Sequence, residues 1–310
     1  MNRERSIFIT GAGGYFAWEL IRQLSQKEFS IVAVSSDKRK IEKYYSGLNI
    51  KCVSNNEVLG VGKYMGNCEF VVHTAFCRKS DGELLLNSIK FLKGIAHLAM
   101  ESGVKGFINL SSQSVYGHMS QKLPDEEGRI APGYLYALAK SFSEQLLDEV
   151  AGGKNGKMAY TNVRLASLIG PGSTIPQNVL YKFITQGIQN KKFKVIGGGQ
   201  NFSFLDVRDA AKAIQLLLDI PTEKWKTAYN LGPEKQTNIL DMAEIVRKKV
   251  YEQTGIQAIY KFEKDDIQLN AGMDSSLLYE VLGWKPEYSF EDTVEDTVKF
   301  IMNEQMQAHQ

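Results

Sequence analysis

The 310-residue chain has few of the residues that build metal sites, redox sites or disulfide frameworks. Its three cysteines, Cys52, Cys68 and Cys77, follow neither a metal-type nor a redox-type spacing, and its four histidines do not cluster. Cysteines without such a pattern are typical of a reducing compartment. We therefore expect buried or free thiols and no metal site.

Long hydrophobic runs and an excess of one charge are also missing. No apolar run approaches the roughly 20 residues of a membrane-spanning helix, and the first one is shorter than the about 7–15 residues of a signal peptide. The 37 basic and 35 acidic residues give a net charge of +2 and form no long block of one sign. The sequence predicts a soluble, cytoplasmic protein without a nucleic-acid or membrane partner, and a homodimer as the candidate assembly.

Apolar strand patterns alternate with helical patterns through the first half of the chain. Strands are predicted at residues 6–10, 30–35, 69–75, 106–112 and 159–169, and helices at residues 15–26, 83–101 and 133–150. Buried strands that alternate with helices form a parallel sheet covered on both faces. The sequence therefore predicts an α/β fold with a doubly wound parallel sheet.

The second half of the chain is less regular. Helices are predicted at residues 177–190, 207–219, 237–253 and 291–304, and turns at residues 152–157 and 197–199. We predict a dinucleotide-binding domain at residues 1–170 and a smaller α/β substrate-binding lobe at residues 171–310, with some strands and helices of the lobe returning to the first domain. Ligands of such sheets bind beyond the carboxyl ends of the strands, so the cleft is expected between the two parts.

The first predicted strand runs into a glycine-rich turn and then a helix. Gly11, Gly14 and Ala17 have the spacing G-x-x-G-x-x-A, with Tyr15 and Phe16 between the last two. In such a turn the first glycine permits the tight bend, and the second lets backbone amides approach a pyrophosphate. The small third residue lets the helix pack on its strand. The motif predicts a dinucleotide site in a Rossmann-type sheet.

The residues after the second predicted strand bear on the choice between NAD and NADP. A carboxylate at the end of this strand would bind the adenosine ribose, but Ser35 takes its place. Asp37 follows two positions later, and Lys38 and Arg39 come next. Cations beside a missing carboxylate slightly favour the 2′-phosphate of NADP. The alternative is a solvated turn in which Asp37 binds the ribose.

A tyrosine and a lysine lie four positions apart in the helix predicted at residues 133–150. Tyr136 and Lys140 therefore share one helix face, whereas Tyr134 has Leu138 at the matching position. A nearby ammonium lowers the pKa of a tyrosine from its usual value near 10. The preceding strand ends in serines at the sheet edge, where catalytic hydroxyls belong. Tyr136 is predicted to exchange a proton with the substrate while a nicotinamide exchanges the hydride; the alternative is an ordinary helix face.

These motifs, in this order, resemble those of the extended short-chain dehydrogenase/reductase family, the NAD(P)-dependent nucleotide-sugar epimerases and dehydratases. Further matching stretches are VVHTA, LSSQSVYG, VRLASLIGPG, FLDVRDAAKAI, YNLG and LGWKP. The resemblance implies Ser112 as the catalytic Ser/Thr, Tyr136 as the acid/base, and Lys140 as the residue that binds the nicotinamide ribose and tunes Tyr136. It also implies dinucleotide contacts from His73, Thr74, Ala75, Leu165 and Ser167.

The chain departs from the family pattern on the substrate side. Gln113 and Ser114 stand where dehydratases carry Asp-Glu, which argues against a sugar 4,6-dehydratase. Ser167 replaces an asparagine of the pattern. We expect the substrate to contact Ser112, Gln113 and Ser114.

Phe202 stands where nucleotide-sugar members carry an arginine that binds the diphosphate. We expect Phe202 to contact the substrate as well. Arg208 or Lys264 could supply the missing cation, or the substrate could carry no diphosphate. The alternative is that Phe202 is a core residue beside Phe204, as alternation on a strand allows.

The expected function is hydride transfer at a carbinol or ketone carbon of a sugar, most simply a nucleotide-sugar, by an NAD(P)-dependent epimerase or oxidoreductase. The first alternative is an NADPH-dependent ketone reductase that acts on a non-nucleotide carbonyl compound, suggested by Ser35 and Phe202. The second is a non-catalytic dinucleotide-sensing protein. The complete set of Ser112, Tyr136 and Lys140 argues against the second alternative.

Overall fold

The computed structural model describes residues 5–27, 29–61, 64–117, 122–152 and 158–308. Its strands are β1 (Arg5–Thr10), β2 (Phe29–Ser35), β3 (Ile50–Ser54), β4 (Phe70–His73), β5 (Gly106–Ser112), β6 (Ala159–Leu165), β7 (Ser167–Ile169), β8 (Phe193–Phe202), β9 (Phe204–Asp206), β10 (Ala228–Leu231), β11 (Thr237–Asn238) and β12 (Tyr260–Ala271). Its helices are α1 (Tyr15–Leu24), α2 (Lys38–Tyr44), α3 (Asn55–Val61), α4 (Gly82–Glu101), α5 (Leu135–Ala151), α6 (Val179–Ile188), α7 (Val207–Leu217), α8 (Ile239–Thr254), α9 (Ser276–Leu282) and α10 (Phe290–Ala308). Short 3₁₀ helices lie at Gln113–Tyr116 and Thr222–Lys224.

Seven parallel strands form the main sheet in the spatial order β10–β6–β5–β4–β1–β2–β3. The predicted α/β fold with a doubly wound parallel sheet is confirmed. The strand order reverses beside β1, because β2 and β3 lie on one side of it and β4 on the other. A ligand of such a sheet binds beyond the carboxyl ends of the strands at this reversal.

Apolar side chains fill both faces of the main sheet. Successive residues of a strand point to opposite faces, so Phe8 packs with α4 and α5 residues while Ile7 and Ile9 pack with α1 and α7 residues. This two-sided burial explains why the strands appear in the sequence as short, nearly continuous apolar runs. Within the described residues, no helix is both long and apolar enough to cross a bilayer.

A second core lies under the smaller sheets. Strand β8 pairs with β11 and β12, β7 pairs with β9, and apolar residues of α6, α8 and α10 pack together with those of β8. Residues 171–310 also supply β10 to the main sheet and α7 to one of its faces. The second half of the chain therefore contributes to both cores.

The turn predicted at residues 197–199 is wrong, because these glycines lie inside β8. Gly197 and Gly198 have φ values of 99° and 123°, and the pairing of β8 with β12 shifts its register between Lys264 and Gln268. The glycines thus form a local irregularity of the kind that bends a strand without reversing it.

Two further predictions concern the strand β6 and the turn that precedes it. The single strand predicted at residues 159–169 is divided at Ala166 into β6, which pairs with β5 and β10, and β7, which pairs with β9. The chain therefore passes from the main sheet to a two-stranded sheet at this residue. Residues 153–157 of the other predicted turn lie outside the described residues.

Candidate active site

The glycine turn between β1 and α1 forms a cradle at the reversal of the sheet. Gly11 has φ of 67°, and a Cβ added there would lie 2.6 Å from Thr74 Oγ1 and 2.8 Å from the Ala75 nitrogen, so only glycine fits. Gly14 caps α1 without a side-chain hydrogen bond, which leaves the first-turn amides available to an anion. Gly14, Tyr15, Phe16 and Ala17 line a cleft of about 510 Å³. These features fit the pyrophosphate of a dinucleotide.

The end of β2 lies directly beside this cradle. Ser35 is buried, and a Cβ on Gly13 would lie 3.2 Å from Ser35 Oγ. Ser35 Oγ accepts a hydrogen bond from the Asp37 amide at 3.1 Å. Asp37 in turn accepts from the Lys40 amide at 3.0 Å as the cap of α2. One carboxylate oxygen of the proposed ribose ligand Asp37 is therefore already engaged.

The two cations predicted to bind a 2′-phosphate differ in their availability. Lys38 Nζ is 3.1 Å from a carboxylate oxygen of Glu57. Arg39 is exposed and forms no ion pair with any residue that the structure describes. Of these two side chains, Arg39 is the one whose charge is not already neutralised.

Of residues 73–75, predicted to line the dinucleotide, only Thr74 lines the cleft. His73 is 1% exposed, and its Nδ1 lies 3.0 Å from Thr10 Oγ1. Burial, reinforced by the charge of Lys140, lowers the pKa of His73 to about 3, so the ring is neutral at pH 7. His73 is therefore a core residue that is hydrogen-bonded to Thr10 at the end of β1, next to the glycine cradle.

Helix α5 is joined to the carboxyl end of β5 by side chains from successive turns. Tyr136, in the first turn, is hydrogen-bonded to Ser112. Lys140, one turn later, donates from Nζ to the carbonyl oxygen of Leu110 at 2.6 Å. The structure thus brings the three predicted catalytic residues into the cleft that holds the glycine cradle. Leu165 and Ser167 line the same cleft.

The surroundings of Tyr136 act on its phenol in opposite directions. Burial raises the pKa of Tyr136 to about 12, whereas the charge of Arg78 and the hydrogen bond with Ser112 lower it. Lys140 Nζ lies 6.0 Å from the centre of the Tyr136 ring. Arg78 is thus a second cation beside Tyr136, in addition to the lysine predicted from the sequence.

Lys140 occupies an unfavourable place for a charge. Its ammonium is buried, and the Phe76 ring, whose centre lies 3.9 Å away, offers a cation–π contact that offsets this only in part. Burial lowers the pKa of Lys140 to about 7, and the charge of Glu144 opposes this effect. At neutral pH the lysine therefore lies close to its titration midpoint.

Sequence analysis missed three residues that line this end of the cleft: Phe76, Arg78 and Tyr134. Tyr134 stacks on Tyr136 with ring centres 6.2 Å apart, and Phe76 meets the Tyr136 ring edge-on at 6.1 Å. Phe76 and Arg78 directly follow β4, so the rule that placed the serines at the end of β5 could have found them. The described side chains that line the cleft include the cations of Arg78 and Lys140 and no carboxylate.

The residues after Ser112 present polar atoms to a ligand. Gln113 and Ser114 line the cleft and are buried, and neither Gln113 Oε1 nor Ser114 Oγ has a hydrogen-bond partner among the described residues. Gln113 Nε2 reaches Ser167 Oγ only at 3.5 Å. Buried polar atoms are seldom left unpaired, so these two point to hydrogen bonds with a ligand.

The wall contributed by the smaller lobe is apolar. Phe202 lines the cleft together with Leu269 and Ala271, and Ala271 is the pairing partner of Phe202 across β8 and β12. Phe202 also stacks on Phe204 with ring centres 5.6 Å apart. The two interpretations of Phe202 are therefore compatible, since the ring packs on a core residue and faces the cleft.

Neither cation suggested as a replacement for the missing arginine lines this cleft. Arg208 donates to Asp206 at 2.7 Å and to Asp296 at 2.8 Å, so its guanidinium is already neutralised. Lys264 is an exposed residue of β12, at the point where the register shifts.

Comparison with protein families gives one match that spans most of the chain. A family model described as "NAD dependent epimerase/dehydratase family" matches residues 7–232.

Curated relatives are similar at low identity. The dTDP-D-glucose 4,6-dehydratase of Mus musculus is 26% identical over 66% of this chain, which spans 58% of the length of that protein. The dTDP-4-dehydro-6-deoxyglucose reductase of Escherichia coli is 22% identical over 96% of this chain and 98% of its own length.

Solved structures share the fold over nearly the whole chain. The UDP-glucuronic acid 4-epimerase of Bacillus cereus, in complex with UDP-glucuronic acid and NAD, has a TM-score of 0.80 at 20% identity and covers 96% of this chain and 99% of its own. The UDP-glucose 4-epimerase of Thermotoga maritima, with UDP-glucose, has a TM-score of 0.79 at 18% identity, with 97% and 99% covered.

Replacing Tyr136 with phenylalanine removes the hydroxyl and leaves the ring. We expect Tyr136→Phe to keep dinucleotide binding and to lower kcat by roughly 10²–10⁴-fold, the usual contribution of a positioned acid–base group. Tyr134→Phe is the matched control. Its kcat should stay within a few-fold of wild type, because the residue four positions after Tyr134 is Leu138, whereas the residue four positions after Tyr136 is Lys140. Steady-state kinetics and fluorescence titration of the dinucleotide compare the variants. Near-normal turnover by Tyr136→Phe would refute the assignment.

Proposed function

Because the chain belongs to the NAD-dependent epimerase/dehydratase family, we propose that it is an NAD(P)-dependent epimerase or oxidoreductase acting at a carbinol or ketone carbon of a nucleotide-sugar. One observation carries the proposal: Ser112, Tyr136 and Lys140 meet at the carboxyl end of β5, in the cleft that also contains the glycine cradle. Relatives named for dTDP-sugars and UDP-sugars support the substrate class.

Each side chain of the candidate site has a separate role in the proposed proton transfer. When bound, a nicotinamide supplies the hydride acceptor or donor. Tyr136 takes the proton of the substrate hydroxyl during oxidation and returns it during reduction. Ser112, hydrogen-bonded to Tyr136, holds the same substrate oxygen. Arg78 and the hydrogen bond with Ser112 offset the burial that disfavours the phenolate, and Lys140 is assigned the role of binding the nicotinamide ribose and tuning Tyr136. An epimerase returns the hydride to the other face of the ketone, whereas a reductase stops after one transfer.

The residues beside Ser112 favour a reaction without elimination. An amide and an alcohol cannot serve as the carboxylic acid and carboxylate that remove water from a sugar. Gln113 Oε1 and Ser114 Oγ are buried and unpaired within the described residues, and they suit hydrogen bonds with sugar hydroxyls. We therefore favour an epimerase or reductase over a 4,6-dehydratase.

The direct test starts from the purified protein. Any bound dinucleotide is released and identified, and a panel of dTDP- and UDP-sugars is then assayed for epimerisation, oxidation and reduction. A tightly held oxidised dinucleotide that survives purification is the result expected of an epimerase. An exchangeable NADPH site is the result expected of a reductase. Failure to bind any dinucleotide, or turnover of carbonyl compounds but of no nucleotide-sugar, contradicts the proposal.

A second candidate function is an NADPH-dependent ketone reductase on a non-nucleotide carbonyl compound. The observation that favours it is the apolar wall of Phe202, Leu269 and Ala271, which offers no donor to a diphosphate. The two cations suggested as replacements for the missing arginine do not line the cleft.

We further propose that the cofactor site prefers NADP. Ser35 places no carboxylate against a 2′-phosphate, and Arg39, on the first turn of α2, forms no ion pair with the residues that the structure describes. Lys38 contributes less, because Glu57 already neutralises it.

We also propose a cytoplasmic homodimer. The three cysteines are free thiols, as expected in a reducing compartment. Helices α4 and α5 expose large apolar side chains with 44–55% of their surface accessible: Leu84, Leu86, Leu135, Leu138 and Phe142. A second copy of the chain would bury these side chains if the two α4–α5 pairs met about a two-fold axis.

The cofactor preference is tested at Arg39. We expect Arg39→Ala to weaken NADP binding by roughly 5-fold, about 1 kcal/mol for an exposed charge-assisted contact, and to leave NAD binding unchanged. Lys43→Ala, an equal change of charge at the other end of α2, is the control. Dissociation constants for both dinucleotides give the answer. Equal or tighter binding of NAD than of NADP by the wild-type protein would refute the preference and favour the alternative in which Asp37 binds the adenosine ribose.

The apolar wall is tested with Phe202→Arg. If the diphosphate of the substrate lies against this wall, the new guanidinium should lower KM for a nucleotide-sugar by about 10–100-fold. The reason is that a charge-assisted hydrogen bond contributes roughly 1.5–3 kcal/mol. If the substrate is an apolar ketone, the same change should raise its KM. Phe262→Arg, an exposed position on β12 outside the cleft, is the control. Unchanged kinetics in folded Phe202→Arg protein would show that the ring does not touch the substrate.

The dimer is tested with Phe142→Glu. A charge in the centre of the exposed α4–α5 stripe should convert a dimer to a monomer in sedimentation velocity at micromolar concentrations. Tyr251→Glu, at an equally exposed aromatic residue on α8, should leave the dimer intact. A wild-type protein that sediments as a monomer would refute this assembly.

A further inference from the structure

Glu144 lies on α5 one turn after Lys140 and is the best-connected carboxylate near the candidate site. Arg164 donates to it from Nη2 at 2.8 Å and from Nε at 3.1 Å. Ser111 donates its hydroxyl to the same carboxylate. Ser111 and the carbonyl that receives Lys140 belong to adjacent residues of β5. Glu144 is therefore tied to the strand end that carries Ser112.

The guanidinium that pairs with Glu144 is itself held on several sides. Arg164 lies on β6, and its Nη1 donates to Tyr116 Oη at 2.6 Å and to the Glu126 carbonyl at 3.0 Å. Tyr116 donates to Asn230 Oδ1 at 2.8 Å. The side chains of Arg164 and Glu144 are only 8% and 12% exposed. Such a network fixes the carboxylate in one position, and Arg164 offsets part of its negative charge.

We propose that Glu144 is a positioning residue for the Tyr136–Lys140 pair: its carboxylate locks the end of β5 through Ser111, and its negative charge, one helical turn from Lys140, favours the ammonium form of that buried side chain. The inference rests on the proposed function, because a protonated Lys140 matters only if Tyr136 transfers a proton. No carboxylate is found among the described side chains that line the cleft, so Glu144 acts from behind it.

The charges around Lys140 show why one carboxylate has a large effect. Tyr136 is on the same helix, His73 faces it from β4 and is neutral, and Arg78 follows β4 at the cleft. Arg164 faces the same helix from β6. None of these groups offers a negative charge at neutral pH, so the Glu144 carboxylate is the favourable charge acting on the ammonium.

The test measures the titration of Lys140 directly. Lysine labelled at Cε and Nζ is followed by NMR across pH, and the Lys140 signal is identified by its loss in Lys140→Arg. In Glu144→Gln the amide keeps a hydrogen-bond acceptor for Ser111 but removes the charge. We expect the Lys140 midpoint to fall by on the order of one pH unit. The alkaline limb of the kcat profile should move to lower pH by the same amount.

Three variants separate charge from packing. Glu144→Asp keeps the charge and should keep the wild-type midpoint, even with a lower Tm. Glu149→Gln removes an exposed charge from the same helix and should also leave the midpoint unchanged. Arg164→Gln removes the opposing positive charge and should raise the midpoint. This opposite shift keeps the inference testable if Glu144→Gln does not fold.

The outcomes separate this inference from the proposed reaction. The same Lys140 midpoint in Glu144→Gln as in wild type overturns the role of Glu144, even if kcat falls. The expected shift in a wild-type protein that turns over no substrate supports the charge effect and refutes the proposed reaction instead.

Discussion

The docking of α5 on the carboxyl end of β5 is the interaction on which the geometry of the candidate site depends. Three successive turns of α5 carry Tyr136, Lys140 and Glu144, and each contacts one of the last three residues of β5. A helix has a fixed rise per turn, so these contacts also fix where the Tyr136 hydroxyl lies relative to the strand end. Because β5 is paired on both sides and buried on both faces, the site inherits the rigidity of the main sheet.

The same burial creates the electrostatic problem that the surrounding residues must solve. Burial disfavours both the phenolate of Tyr136 and the ammonium of Lys140, which are the two charged forms that the proposed proton transfer needs. The opposing effects come from separate elements: Arg78 after β4, and Glu144 on α5. In the proposed mechanism, Arg78 and Glu144 therefore act together with Tyr136 and Lys140, because their charges oppose the effect of burial on the phenolate and on the ammonium.

The sequence predicted those features that local pattern determines. The alternation of strands and helices, the glycine turn and the four-residue spacing of Tyr136 and Lys140 depend on neighbouring residues, and the structure contains the predicted sheet, turn and helix face. Features that depend on contacts between distant segments could not be found in this way. Arg78 acts on Tyr136 although the two residues are 58 positions apart in the sequence, and no periodic pattern predicts a contact over such a separation. The turn predicted at residues 197–199 is wrong because a local pattern is overridden by a distant contact. Consecutive glycines usually end a strand, but here pairing with β12 holds them in β8.

The two halves of the cleft have different origins, and this explains why the family identifies the chemistry more closely than the substrate. The glycine cradle lies between β1 and α1, and the predicted catalytic side chains lie on β5 and α5, all within the segment that matches the family. The opposite wall combines Phe202 of β8, inside that segment, with Leu269 and Ala271 of β12, which lie beyond it. Among the described residues, no hydrogen bond joins Phe202 or Ala271 to α5 or β5, so we expect changes on this wall to leave the α5–β5 contacts intact. The proposed contact of Phe202 with the substrate can therefore vary separately from the proposed proton transfer at Tyr136.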